Sequence, residues 1–308
     1  MPKPQQSTQC LPTEPMNNTA LVAEGGGQRG IFTAGVLDSW LQSGFNPFDL
    51  LIGTSAGAQN LSSYITGQKG FGRHSITSLS KDPKFLNFSR TLIGKQAVDL
   101  DWYFNQVDQA DNKLDITCGE KRLAKRQLLF SATKADDRSA AFFEPTKDNW
   151  LTVLKASSAL PYFYKKGVKI NNHYYVDGGL SAPIPVKEAY QRGAKRIVVI
   201  RTIPKDAAVQ SPWAHKLMSM LCHTNHCPRL LDLINHHENA YQATLNFIEK
   251  PPNDVEIVQV YPQQALASQL VGSSHDSLNS DYDLGFQAGL AFLKRYENTY
   301  MHGEKSVE

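Results

Sequence analysis

Short, continuous apolar runs recur along the chain and alternate with stretches in which apolar residues stand three or four positions apart. Such short runs predict buried strands, and they lie at residues 19–24, 50–52, 127–133, 196–201 and 255–260. The wider spacing predicts helices over residues 31–41 and near 149–157, 187–191 and 284–296. The alternation predicts an α/β fold of three layers, in which helices cover both faces of a mostly parallel central sheet.

Composition limits the classes of protein that fit. The 308 residues are 41% hydrophobic, and their net charge of +3 is too small to indicate a nucleic-acid partner. We find no apolar run long enough to span a bilayer. Residues 1–18 are polar and proline-rich and lack a signal-peptide core, which predicts a flexible tail on a cytoplasmic protein. The four cysteines form no disulfide framework and fit a reducing compartment.

The second apolar run ends in Gly53-Thr54-Ser55-Ala56-Gly57 and is followed by residues that favour a helix. This order is typical of a nucleophile elbow, in which a sharp turn between a strand and a helix exposes a serine hydroxyl. Gly53 and Gly57 would let the strand and the helix pass closely. The helix start would direct N–H groups toward the hydroxyl. An ordinary corner with a buried serine is the alternative.

A glycine-rich loop, residues 25–30, connects the first strand to the first helix and reads GGGQRG. It also fits the dinucleotide pattern G-x-G-x-x-G, but Asp49 lies at the start of the second strand, not at the end where a ribose is bound. We favour an anion cradle, in which peptide N–H groups converge on a developing oxyanion. Arg29 would hold this loop or face the substrate, or would be a surface charge.

A third motif, Asp177-Gly178-Gly179, follows a short strand at residues 174–176. Asp before two glycines is also common turn chemistry. We expect this strand to end at the same edge of the sheet as the strand before Ser55, because ligands bind at the carboxyl edge of parallel strands. A carboxylate there could serve as the base that a serine nucleophile needs.

These motifs, with the stretch 156–161 (ASSALP) between the second and the third, resemble the patatin-like phospholipase family over residues 19–200. Members are lipid acyl hydrolases with a Ser–Asp dyad and no histidine. The resemblance implies a catalytic domain over 19–200 and an extension over 201–308 packed on it. It implies a phospholipase A, lysophospholipase or esterase with no cofactor. It also implies roles for motif residues: nucleophile Ser55, base Asp177, an oxyanion hole of Gly25, Gly26 and Gly27, and supporting positions Arg29, Gly30, Gly53, Gly57, Gly178 and Gly179.

Two other functions stay open at this point. A Ser-Asp-His esterase of the α/β-hydrolase kind would recruit His215, His223 or His275 as its third residue. A non-catalytic protein that binds lipid surfaces would keep the glycine loop without turning over esters.

The stretch over residues 69–95 is basic and interleaved with aromatic and aliphatic side chains. It carries six cationic residues and one acidic residue. Its aromatics could pack in the core while its charges are solvated. Alternatively, the stretch could make transient contact with an anionic lipid surface.

Residues 222–227 contain Cys222, His223, His226 and Cys227. Two cysteines and two histidines could bind zinc, but a closed site made from six consecutive residues is sterically awkward. We therefore expect a polar loop or helix end and no metal.

Overall fold

The computed structural model describes residues 15–93, 96–123, 125–164, 166–205 and 228–297. The strands are β1 Met16–Ala23, β2 Phe48–Thr54, β3 Gln127–Lys134, β4 Ala140–Phe143, β5 Val168–Ile170, β6 His173–Asp177, β7 Arg196–Ile200 and β8 Glu256–Val260. The α-helices are α1 Gly30–Gln42, α2 Ala56–Thr66, α3 Phe71–Thr77, α4 Leu100–Val107, α5 Ile116–Arg122, α6 Trp150–Ser157, α7 Val186–Gln191, α8 Pro228–Glu249 and α9 His275–Tyr296. The segment 222–227, His215 and His223 lie outside the described residues.

The strands form one mixed sheet. Its order is β5-β6-β3-β2-β1-β7-β8, and β4 pairs with the other edge of β3. Five neighbouring strands are parallel: β3, β2, β1, β7 and β8. The other three, β4, β5 and β6, pair in antiparallel fashion. The predicted α/β fold with a mostly parallel sheet is therefore confirmed, with antiparallel strands added at one side.

Helices cover both faces of this sheet. Successive side chains of β1 point to opposite faces, as the period of two in a strand requires. Leu21 and Ala23 join one hydrophobic core, and Ala20 and Val22 join the other. All four are fully buried. This burial on both faces explains why the central strands appear in the sequence as continuous apolar runs.

Several details differ from the sequence predictions. β1 begins at Met16, inside the segment predicted as a tail, because the Met16 N–H donates to the Pro47 carbonyl. Cys118 on α5 is disulfide-bonded, which the sequence did not predict. Within the described residues, no helix combines the length and hydropathy needed to cross a membrane. The division of the chain at residue 200 stays a prediction. β8 is the edge strand next to β7, and α9 packs on α1.

Candidate active site

Ser55 lies in the sharp turn between β2 and α2. Its backbone adopts φ 53° and ψ −121°, a conformation that non-glycine residues rarely occupy. The Ser55 N–H donates to Oγ of Ser157 at 2.8 Å, so the predicted ASSALP stretch holds the turn. A side chain at Gly57 would place Cβ 2.4 Å from the Ala23 carbonyl oxygen, and this close crossing accounts for the glycine.

The pairing of β3 brings Ser55 and Asp177 together. Thr54, at the end of β2, pairs with Ser131, and Asp177 pairs with the next residue, Ala132. β4 pairs along one edge of β3, and β2 and β6 share the other edge. The carboxyl ends of β2 and β6 therefore lie next to each other. As a result, Oγ of Ser55 donates to Oδ2 of Asp177 at 2.8 Å. β6 is antiparallel to β3, so it reaches the carboxyl end of β2 from the opposite direction.

Several hydrogen bonds hold Asp177 in place. Its Oδ1 accepts the Gly179 N–H at 2.7 Å, and its carbonyl accepts the Thr133 hydroxyl at 2.8 Å. Burial raises the pKa of the Asp177 carboxyl to about 6, although the hydrogen bonds from Gly179 and Ser55 lower it in part. Both carboxylate oxygens are thus engaged, and the serine hydroxyl contacts the carboxylate directly.

The glycine-rich loop lies beside the elbow. A Cβ at Gly25 would be 3.4 Å from Cβ of Ser55. The Gly25 N–H donates to the Pro183 carbonyl at 3.3 Å. The hydrogen bonds among the described residues include no acceptor for the N–H groups of Gly26 and Gly27. These two donors are available to a ligand, and their role in an oxyanion hole stays a prediction.

Arg29 lines the cavity, so the alternative of a surface charge is wrong. Its Nε is buried without a hydrogen-bond partner among the described residues. Burial lowers the pKa of the guanidinium, and the neighbouring Glu24 carboxylate opposes this shift. The remaining motif glycines lie at close contacts around the elbow and the Asp177 turn: Gly30, Gly53, Gly178 and Gly179.

A cavity of about 160 Å³ opens beside Ser55 and Asp177. The glycine loop and the Asp177 turn form its polar side. Most of the remaining wall is apolar and includes Ile76, Phe85, Leu100, Leu160, Phe163, Leu270 and Val271. A cavity of this kind suits an apolar chain attached to a polar group that reaches the serine.

Sequence reasoning missed two residues of this site. One is Ser157, which lies in the ASSALP stretch and accepts the Ser55 N–H, a role that the sequence did not predict. The other is His237, which is buried in α8, lines the cavity and donates from Nδ1 to the Gly179 carbonyl at 2.6 Å. The helical spacing of Leu230, Ile234 and Tyr241 around it was a signal that could have located α8.

The other candidate ligand sites lie elsewhere. His275 is exposed at the first residue of α9. Asp49 accepts the Asn18 N–H at 2.8 Å near the amino end of β2, away from the glycine loop. The described part of the chain contains no group of three or more His, Cys, Asp or Glu side chains suited to a metal ion.

Comparison with known proteins identifies the family. A model described as patatin-like phospholipase matches residues 21–190. The chain belongs to the patatin-like phospholipase family. Membership confirms the sequence resemblance and supports a lipid hydrolase at the level of the family. A second model, a domain of unknown function (DUF6363), matches residues 227–301.

The chain is also similar to individual proteins. YjjU of Escherichia coli strain K12, described as uncharacterized, is 43% identical over 275 residues, which are 89% of this chain and 76% of that protein. Among solved structures, VipD from Legionella pneumophila is 14% identical with a TM-score of 0.47, covering 90% of this chain and 67% of VipD. Human GIVD cytosolic phospholipase A2 is 11% identical with a TM-score of 0.48, covering 92% of this chain and 60% of that enzyme. Scores at this level mark a distant similarity only.

Proposed function

We propose that the protein is a serine lipid acyl hydrolase that cleaves carboxylic esters through Ser55, Asp177 and an acyl-enzyme. The observation that carries this proposal is the 2.8 Å hydrogen bond from Oγ of Ser55 to Oδ2 of Asp177, next to unpaired loop N–H groups and an apolar cavity. Phospholipase A, lysophospholipase and esterase activities all use such a site.

The geometry supports a two-step reaction. Asp177 takes the hydroxyl proton as Oγ of Ser55 attacks the ester carbonyl carbon. The N–H groups of Gly26 and Gly27 stabilise the tetrahedral oxyanion. The intermediate collapses, the C–O bond of the ester breaks, and the leaving alcohol takes the proton from Asp177. Water, deprotonated by the same carboxylate, then attacks the acyl carbon. The bond from this carbon to Oγ of Ser55 breaks, Asp177 returns the proton to Oγ, and the fatty acid is released.

The lipid surface is the proposed transient partner, through the basic stretch 69–95. Arg73 lies over the Tyr282 ring, and Lys81 donates to the Ser273 carbonyl, so these cations serve the fold. Phe88 is 40% exposed and Ile93 is 70% exposed. The Phe88 ring also packs against Phe163 of the cavity wall. We therefore restrict the proposed lipid contact from the whole basic stretch to residues 83–93, which include Phe88 next to the cavity wall.

The deciding experiment compares wild type with Ser55→Ala and Asp177→Asn on p-nitrophenyl butyrate and on a phospholipid panel read by mass spectrometry. Each variant should lose about 1,000-fold or more in kcat/KM, because the two side chains act as one unit. Ser280→Ala, an exposed serine on α9, is the matched control and should keep wild-type activity. Ester turnover that survives Ser55→Ala would overturn the dyad. A wild type that binds vesicles without hydrolysing any ester would favour the binding protein.

The Ser-Asp-His alternative predicts a histidine between the serine and the carboxylate. The direct contact between Ser55 and Asp177 favours the dyad. Single substitutions of His215, His223 and His275 by alanine should therefore leave ester hydrolysis within about twofold of wild type, and a large loss in one of them would support the triad.

A further inference from the structure

The C-terminal part of the chain reaches the Asp177 turn through α8. His237 donates from Nδ1 to the Gly179 carbonyl at 2.6 Å, and the Gly179 N–H donates to Oδ1 of Asp177 at 2.7 Å. His237 is only 6% exposed. One residue, Gly179, is therefore held by the imidazole at its carbonyl and by the catalytic carboxylate at its N–H.

The same part of the chain reaches the glycine loop through the segment before α9. The Leu270 carbonyl accepts the Gln28 N–H at 2.9 Å, and the Ser273 N–H donates to Oε1 of Gln28 at 2.8 Å. Gly27 has φ +57°, and a Cβ there would lie 2.2 Å from the Leu270 carbonyl oxygen. The segment thus lies directly on the loop that carries the free N–H groups.

A third contact joins α8 to the start of that loop. The Tyr241 hydroxyl donates to Oε1 of the buried Glu24 at 3.0 Å, one residue before Gly25. Leu270 and Val271 also complete the apolar wall of the cavity. His237, Tyr241, Leu270, Val271 and Ser273 lie within 227–301, the range matched by the domain of unknown function.

We propose that this C-terminal region is a working part of the active site, and that His237 is a positioning residue for Asp177. The inference rests on the proposed hydrolase function. Without a donor at residue 237, the part-buried Gly179 carbonyl loses this hydrogen bond, and we expect the turn to rearrange. Rearrangement withdraws the Gly179 N–H from the carboxylate and changes the angle at which Asp177 meets Ser55. His237 acts on Asp177 through Gly179.

The test compares His237→Asn with His237→Leu and His237→Gln. Asn places an amide N–H near the position of Nδ1, whereas Leu has no donor and the longer Gln places its donor elsewhere. The readouts are kcat and KM on p-nitrophenyl butyrate and the rate at which an alkyl fluorophosphonate labels Ser55. Loss of kcat without a change in KM marks misplaced catalytic groups.

The Leu and Gln variants should lose roughly 10- to 100-fold in kcat and in labelling rate, with KM within about twofold, whereas Asn should recover most of both. Asn239→Leu, exposed on the same helix, should behave as wild type. The proposal is overturned if Leu and Gln retain wild-type kcat, or if Asn is as impaired as Gln at equal thermal stability. If Leu does not fold, the Asn and Gln pair decides the matter. Failure of the proposed function is distinct, because wild type itself would then hydrolyse no ester.

Discussion

At the scale of single residues, the carboxyl of Asp177 sets the pH dependence expected of the site. Burial raises its pKa to about 6, above the ordinary value of 3.8. In the proposed mechanism Asp177 must be ionised to accept the Ser55 proton, so molecules with a protonated Asp177, which predominate below pH 6, would be inactive. Ser55 donates to this carboxylate and holds a positive φ, which fixes the hydroxyl where the base can reach it.

We therefore expect kcat/KM for a soluble ester to rise with pH through about 6 and to level off above pH 7. A pH–rate profile between pH 4.5 and 8.5 measures this limb. His237 also titrates, but burial holds its pKa below the ordinary 6.5. The limb should therefore persist at the same pH in His237→Asn. A limb that disappears in that variant would assign the titration to the imidazole.

The same raised pKa predicts a change in stability. The folded protein binds the Asp177 proton more tightly than the unfolded chain. The stabilisation is therefore complete below pH 3.8 and is lost as the pH rises to about 6. Above pH 6 the buried carboxylate costs at most about 3 kcal/mol. Asp177→Asn should thus raise the melting temperature relative to wild type more at pH 8 than at pH 4. A difference that does not depend on pH would show that Asp177 is not strained by burial.

At the scale of elements, α1 and α9 pack backbone to backbone. A Cβ at Gly285 would lie 2.1 Å from the Phe32 carbonyl oxygen, and one at Gly35 would lie 2.2 Å from the Tyr282 carbonyl oxygen. The Tyr282 hydroxyl also donates to the buried Asp38 at 2.9 Å. This contact fixes α9 on the core and so fixes the segment at Leu270 that precedes it.

Gly285→Ala should destabilise the protein by about 1–3 kcal/mol, because overpacking outweighs the helix preference of alanine. Urea unfolding followed by circular dichroism measures the change. Ser280→Ala, exposed on the same helix, should stay within about 0.5 kcal/mol of wild type. Equal or greater stability of Gly285→Ala would show that the two helices separate without cost.

The sequence predicted elements whose signal is local. The buried strands appear as apolar runs, and α1 as helical spacing, because both depend on neighbouring residues. The direction of β6 was not predictable, since it depends on pairing with β3 across more than 40 residues. α9 starts at His275, nine residues before the predicted start, because it packs through glycines and leaves few apolar residues in its first turns. Its N-cap, Ser274, accepts the Ser277 N–H and was a signal available in the sequence.

The candidate site also contains residues that the sequence predicted and one that it did not. Ser55, Asp177 and the glycine loop carry motifs, and the structure brings them together at the end of β2. His237 carries no motif, since its place depends on α8 crossing the Asp177 turn. A contact made by tertiary packing leaves no pattern of spacing in a single sequence.

At the scale of the whole molecule, a net charge of +3 gives only weak attraction to an anionic surface. The surface that contacts a membrane would therefore depend on which apolar side chains are exposed. Phe88 and Ile93 are exposed at the two ends of the short 3-10 helix Phe88–Ile93, and the Phe88 ring packs against Phe163 of the cavity wall. Lys84 is exposed in the same stretch. Exposed leucines such as Leu290 on α9, which is 37% exposed, lie outside this stretch. The apolar pair near the cavity would bring a lipid ester close to Ser55.

Phe88→Asp with Ile93→Asp should therefore weaken binding to vesicles containing phosphatidylglycerol by about 10-fold, since two partly exposed apolar side chains no longer enter the interface. Hydrolysis of p-nitrophenyl butyrate should be unchanged, because this ester reaches the cavity from solution. Leu284→Asp with Leu290→Asp adds two negative charges at exposed positions of α9 and controls for electrostatic repulsion. Co-sedimentation at 50 and 300 mM salt separates the apolar contribution from the electrostatic one, which weakens with salt. Equal vesicle binding by wild type and the double variant would move the lipid contact to another surface of the protein.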